Sequence, residues 1–265
     1  MELDPDYTFV PLAERHYMGI QNKDTQHYLK KWGLLGNIGI QDFCFNEPFQ
    51  PYNKYHIAEQ FFKSPVVANS LKLKVGDAWM VQGIKATSVD VTPVQCTALN
   101  MSFFDKLKNP ENKIVSLSGA ICKQCDVEIE GFIVSDKLRA MILDEDNERY
   151  SLYGPEERDE FIFRLFEMLV LGGSLCQYED ELQPYLDVTR KIYKDLVRVE
   201  KKEDRDLSIC TTVVRVVASA RERGDTRPYF PGGDAENRQN VGFLLIDGSG
   251  RRVTSLMHRF GGFNW

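Results

Sequence analysis

Histidine is scarce in this chain, with four in 265 residues at His16, His27, His56 and His258. None is followed two places on by an acid, so the two-histidine, one-carboxylate site of an iron oxygenase has no nucleus here. Cysteine is little commoner. Cys44, Cys96, Cys122, Cys125, Cys176 and Cys210 are spread through apolar surroundings, which suits reduced core thiols and not a disulfide framework. Only Cys122 and Cys125 form a C-x-x-C pair. A structural zinc site needs about four ligands, and no second close pair joins this one. A thioredoxin-like role also fails, because no strand-to-helix junction surrounds the pair.

Phosphate-cradling motifs are missing too. No G-x-x-x-x-G-K-[ST] and no G-x-G-x-x-G occurs, and Gly232-Gly233 sits in a polar loop with no helix pattern after it. No G-x-S-x-G elbow is present. Cys96 or Cys176 with His258 would make a nucleophile pair only if the fold joined them, and nothing in the sequence does. The acids of residues 144–148 lack the spaced ligands and glycine of a calcium loop. The expectation is a chain without catalytic, cofactor-binding or metal-binding residues, and so not an enzyme.

Long apolar runs are absent as well. The most apolar window, residues 161–171, is about half of the ~20 residues that a spanning helix needs, and Arg164 and Glu167 interrupt it. The first eleven residues carry Glu2, Asp4 and Asp6 where a secretory leader would be basic and then apolar. The formal net charge is −6, which gives no electrostatic reason to bind nucleic acid or an anionic membrane. These readings predict a cytoplasmic chain with no membrane insertion and no nucleic-acid partner.

What is present is ordinary globular material, 43% apolar and 27% charged, in a length able to bury a sizeable core. Residues 7–12 read as a short edge strand. Asp24 is placed to cap a helix through Tyr28, Leu29, Trp32 and Leu35, ending at Gly36. Ile38, Ile40, Phe43 and Phe45 alternate with one slip after Gln41, which predicts a bulge or burial on both faces. Two short helices follow, one through Ile57, Phe61 and Phe62 and one opened by Ser64-Pro65. Strands are expected over 79–84, 88–91, 95–99, 119–122 and 127–133. A short helix is expected at 102–107, and Ser135 is placed to cap another. Pro155 is expected to open a helix whose first turns carry Glu156, Glu157, Asp159 and Glu160. From Phe161 to Val170 it is apolar nearly all round, as a helix in mid-core should be. The remainder reads as β at 208–218, 241–247 and 252–260, with an exposed or mobile loop at about 221–239.

Helices and strands interleave without a regular β-α-β alternation. This predicts an α+β fold in one globular domain over 1–265: a mixed or antiparallel sheet with a buried central helix and amphipathic helices packed on it. The most informative stretch is residues 171–199, LGGSLCQYEDELQPYLDVTRKIYKDLVRV. Leu182, Tyr185, Leu186, Thr189, Ile192, Tyr193 and Leu196 recur at i, i+3, i+4, i+7, with Pro184 in the first turn. The opposite face is polar, and Asp187–Lys191 and Lys191–Asp195 are spaced to pair. The plain reading is a helix docked by its apolar face. Its outer charges, Asp187, Arg190, Lys191, Lys194 and Arg198, are the first candidates for partner binding. Phe263 and Trp265 near the chain end, beside Phe260, are the second.

The same stretch, with WGLLGNIGIQDFCFNEPFQPYNKY (32–55), LNMSFFDKL (99–107) and IVSDKLRAMILDEDNERY (133–150), resembles the cilia- and flagella-associated protein 300 family of dynein axonemal assembly factors. Residues 243–261 resemble it more loosely, and 221–239 do not match. The resemblance implies a non-enzymatic cytoplasmic factor that helps assemble outer and inner dynein arms and carry them to the cilium or flagellum. It also implies partners: a kintoun-like assembly factor of the PIH-domain type, the intraflagellar transport machinery and, indirectly, axonemal dynein subunits. The alternatives are a cryptic ligand-binding domain or enzyme, which needs a pocket where Cys, His and carboxylates converge, and a structural component of the axoneme.

Overall fold

The computed structural model describes residues 5–201, 206–222, 224–234 and 236–261. The chain begins with β1 (Phe9–Pro11), α1 (Lys23–Lys31) and β2 (Ile38–Phe45), then α2 (Lys54–Lys63) and α3 (Pro65–Ala68). The hairpin of β3 (Lys72–Val75) and β4 (Ala78–Val81) precedes β5 (Ser88–Val94) and α4 (Asp105–Lys108). A second hairpin, β6 (Lys123–Ile129) and β7 (Phe132–Asp136), leads into α5 (Lys137–Leu143), α6 (Pro155–Arg158), α7 (Phe161–Leu171) and α8 (Gln183–Leu196). Then come β8 (Val199–Lys201), β9 (Leu207–Ile209), β10 (Thr211–Glu222), β11 (Asp225–Phe230), β12 (Val241–Asp247) and β13 (Arg252–His258).

Seven strands form one antiparallel sheet in the order β1-β2-β13-β12-β10-β11, with β5 on the other edge of β10. Side chains alternate across a strand, and here both faces are covered. Val213, Phe243, Leu245 and Leu256 face a large core built with α1, α5, α7 and α8. Their neighbours Val214, Leu244, Ile246 and Val253 face a smaller core with α2 and α3. The architecture is α+β, helices over both faces of an antiparallel sheet.

Double burial explains the slip in β2. Ile38 and Ile40 pack on the large core while Phe43 and Phe45 belong to the small one. The register with β13 runs unbroken from Ile38↔His258 to Cys44↔Arg252, so there is no bulge. The central helix is as expected: α7 buries ten of its eleven residues, all but Arg164.

Several boundaries differ from the sequence reading, each through a local competitor. Asn22, not Asp24, caps α1 by accepting from the Asp24 and Thr25 amides, and the helix stops at Lys31. Asp136, not Ser135, caps α5. The helix expected from Pro155 breaks at Glu160, whose backbone is extended. The Glu160 carboxylate turns away to accept from the Thr97 amide and hydroxyl, while Glu157 accepts from the Gly154 amide and pairs with Lys106. Glu156 and Glu157 thus stand in the first turn of α6 as expected, whereas Glu160 staples a neighbouring segment.

The strands expected at 95–99 and 119–122 reduce to isolated bridges, Gln95↔Glu160, Val115↔Ile121 and Ala120↔Glu181. The strand expected at 127–133 contains a turn. Glu130 and Gly131 both have positive φ, 49° and 81°, which is the mirror-image turn that suits a two-residue hairpin. The loop expected at 221–239 is partly strand: β11 pairs with the end of β10 from Ala218↔Phe230 to Glu222↔Asp225. A central-strand proline argues against a strand reading, but Pro228 lies on an edge strand, where the missing N–H is tolerated.

Candidate functional site

A cleft of about 1060 Å³ opens between the β6–β7 hairpin, the α7–α8 connection and residues 234–241. Its walls are held by one buried arginine. Asp136 ends β7 and accepts from the Arg139 amide at 2.9 Å, and its carboxylate pairs with the Arg139 guanidinium. Both side chains are sealed, at 2% and 1% exposure. Arg139 also donates to the Tyr185 hydroxyl on α8 at 2.8 Å and lies 3.3 Å from the ring centre of Tyr178. One side chain thus joins α5, α8 and the α7–α8 connection. The ring of Tyr178 forms part of the cleft wall.

The lip above Tyr178 is set by backbone geometry. Gly172 ends α7 at φ 66°, ψ −166°, a region open essentially to glycine alone. The Gly173 amide then donates to the Trp32 carbonyl at 2.8 Å, anchoring the connection to the end of α1. Leu175 follows at φ 57°, a left-handed conformation that bulky residues rarely adopt. It is 66% exposed.

The floor carries charge. Glu167 of α7, 6% exposed, accepts from Arg164 at 3.2 Å and from Arg238 at 3.1 Å. Arg238 also forks onto Glu130 through two bonds of 3.0 Å, tying the hairpin turn to α7. Arg215 projects from β10 on the large-core side, lines the cleft and is half-buried. Among the described residues it has neither an ion pair nor a hydrogen bond. Burial and then the nearby Arg164 lower its pKa from the ordinary guanidinium value, with Glu167 opposing and Arg238 adding. Glu167 is the one buried carboxylate among the described lining residues, whereas Glu130, Glu145, Asp234 and Glu236 stand in solvent. Glu130 bonded to Arg238 and Asp159 bonded to Arg164 offset those two guanidiniums, so Arg215 is the lining cation with no direct partner among the described residues.

Around this floor runs an apolar rim. Ile133 is 60% exposed and Phe260 38%, and Leu175 and Tyr178 complete it. The arrangement can seat an anionic group at depth with apolar side chains at the mouth. It is poorly equipped for covalent chemistry. Burial pushes the thiol of Cys176, in the wall, up to about 12, so the thiolate is scarce at neutral pH. Cys96 is likewise pushed up to about 12 by burial, and His258 is wholly buried and pushed down to about 4. Among the described residues no three His, Cys, Asp or Glu side chains are grouped as metal ligands would be.

The sequence-predicted partner residues lie elsewhere, on α8 and just beyond it. Asp187 pairs with Arg190 at 3.0 Å. Lys191 reaches across to Asn22 at 3.0 Å and Asp24 at 3.8 Å, and Asp195 accepts from the Ile20 amide at 2.8 Å. The Asp187–Lys191–Asp195 ladder is therefore not formed, because the α1 segment competes for its members. Arg198 pairs with Asp247 at 2.9 Å and Glu200 at 2.8 Å. Lys194 is exposed on the last turn. None of these five lines the cleft, and Phe263 and Trp265 lie outside the described residues. Glu179 and Asp180, just before α8, pair with Lys31 and Lys123.

Sequence reading missed the cleft. Arg164 and Glu167 stand three apart on a buried helix and so share a face, yet they register only as interruptions of an apolar run. Arg215 is a lone charge in a Val-rich strand. Those anomalies are the signal. Their convergence depends on the topology.

The family described as cilia- and flagella-associated protein 300 matches residues 6–258. The protein of that name from Chlamydomonas reinhardtii is 32% identical over 255 residues, 95% of this chain and 97% of the relative. That from Paramecium tetraurelia is 36% identical over 188 residues, 71% of each. No solved structure matches the chain.

Proposed function

This chain belongs to the cilia- and flagella-associated protein 300 family, and from that premise we propose that it is a non-enzymatic factor for assembling axonemal dynein arms. It works in the cytoplasm on outer and inner arms, travels with them to the cilium or flagellum, and is needed for motility. It acts through protein–protein contacts: with a kintoun-like PIH-domain assembly factor, with the intraflagellar transport machinery and, through them, with dynein subunits.

The observation that carries the protein-recognition part is the cleft. Its apolar rim stands in solvent over a floor whose Arg215 has no ion pair or hydrogen bond among the described residues, the combination of apolar contact and half-buried arginine typical of interface anchors. Burial pushes its thiol up to about 12 and no histidine lines it among the described residues, which favours binding over catalysis. Among the described residues no helix is long and apolar enough to cross a membrane.

Deleting the gene in a motile ciliated cell tests the assembly reading. Axonemes should lose outer and inner arms together in electron micrographs while the microtubule doublets persist, and the protein should be recovered mainly from the detergent-soluble cell body. Intact arms in the deleted line would refute assembly. A detergent-resistant, axonemal protein would favour the structural alternative.

A further inference from the structure

The cleft between the β6–β7 hairpin and the α7–α8 connection holds one guanidinium, that of Arg215, which no described side chain contacts by ion pair or hydrogen bond. Arg164 and Arg238 share Glu167, Arg238 is further neutralised by Glu130, and Arg164 by Asp159 at 2.6 Å. Arg158, behind α7, bonds to the carbonyls of Met141 and Tyr150 at 2.8 and 2.7 Å and has no carboxylate partner among the described residues. Arg215 has no partner among them at all. A half-buried guanidinium in that position gains most from a carboxylate brought to it, because charge-assisted, forked contacts are the strong ones.

The mouth says what should carry that carboxylate. Ile133, Leu175 and Phe260 expose apolar surface beside the opening, and Leu175 is held outward by a left-handed backbone. A free inorganic anion would leave this rim uncovered. A nucleic-acid backbone would bring a phosphate to every position along an opening bordered by Glu145, Asp234 and Glu236, and would meet repeatedly a repulsion that a single carboxylate meets once. We infer that it docks a short segment of a partner protein in which an Asp or Glu adjoins an aliphatic or aromatic residue. The acid meets Arg215, and its apolar neighbour covers Ile133, Leu175 and Phe260. This rests on the reading of the chain as a protein-recognition factor and names the chemistry of what it recognises.

The test is a selection in vitro on the purified full chain with a phage-displayed random heptapeptide library, so its failure is separable from the outcome of gene deletion. The chain should enrich sequences with Asp or Glu next to Leu, Ile or Phe. A labelled peptide of the enriched consensus should bind at least tenfold more weakly, by fluorescence anisotropy, to Arg215→Gln with an unchanged melting temperature. Replacing the peptide's acid by glutamine should weaken binding to wild type as much, with little further loss on Arg215→Gln. Should Arg215→Gln fold poorly, the rim variant Ile133→Thr with Leu175→Gly provides the same comparison, since both positions are exposed and glycine suits the backbone at 175. The inference is overturned if no acid-plus-apolar sequences are enriched, or if the folded variants bind the consensus as wild type does. It is also overturned if inorganic phosphate alone displaces the peptide, which would make the cleft a small-anion site.

Discussion

Replacing Asp136 with alanine should lower the stability of the chain by about 4 kcal/mol, the largest effect expected of any single carboxylate here. Two losses coincide. The Asp136 side chain caps α5 through the Arg139 amide, and such a cap is worth about 1 kcal/mol. It also neutralises Arg139, which is 1% exposed, and stranding a buried charge costs about 3–5 kcal/mol. Tyr185 and Tyr178 would remain against Arg139, but neither carries a compensating negative charge at neutral pH. Urea unfolding should therefore show a lower midpoint with an unchanged slope. The double variant Asp136→Ser with Arg139→Met should recover much of the loss, because serine keeps a cap and the pair is then replaced, not broken. A loss below about 1 kcal/mol for Asp136→Ala would mean that the pair does not clamp the cleft walls.

The second large effect belongs to Gly172. At φ 66°, ψ −166° any side chain is strained by about 1–3 kcal/mol. A Cβ there would also overlap Cys176 Sγ and approach the Trp32 carbonyl oxygen to 2.8 Å. The carbonyl belongs to the end of α1 and gives way only if the whole junction shifts. Gly172→Ala should thus lose about 3 kcal/mol or more, lowering the melting temperature by about 10 °C for a chain of this size. Gly119→Ala is the matched control. It has φ 88° with nothing within 4 Å of the added carbon, so it should show the conformational strain alone, about 1 kcal/mol. Equal losses in the two variants would remove the steric half of the explanation.

What was legible in the sequence follows from periodicity. The α8 stripe through Tyr185, Thr189 and Ile192 is buried as spaced, and Pro184 sits in its first turn. The apolar run 161–170 is the central helix, because a helix with no wet face has nowhere else to go. The hairpin β12–β13 pairs across Asp247↔Arg252, as its turn residues suggest. Illegible were features decided by competition at a distance. Lys191 chooses Asn22 over its helical neighbours, and Glu160 breaks a helix to reach Thr97, contacts 169 and 63 residues apart in sequence. The cleft is the extreme case. Glu130, Arg164, Glu167, Arg215 and Arg238 come from four elements, and only the sheet order and the α7 crossing bring them together.

That dependence also shapes the functional reading. The outward charges of α8 were the natural candidates for a partner, yet Lys191 and Arg198 are engaged in holding the α1 segment and the β12–β13 turn. In the cleft, Arg215 has no ion pair or hydrogen bond among the described residues. In cells lacking the gene, re-expression of Arg215→Gln at wild-type abundance tests the account most directly, with dynein arms counted in axonemal cross-sections. The account predicts a soluble, folded protein that fails to restore the arms that wild type restores. Full restoration of outer and inner arms by Arg215→Gln would contradict it.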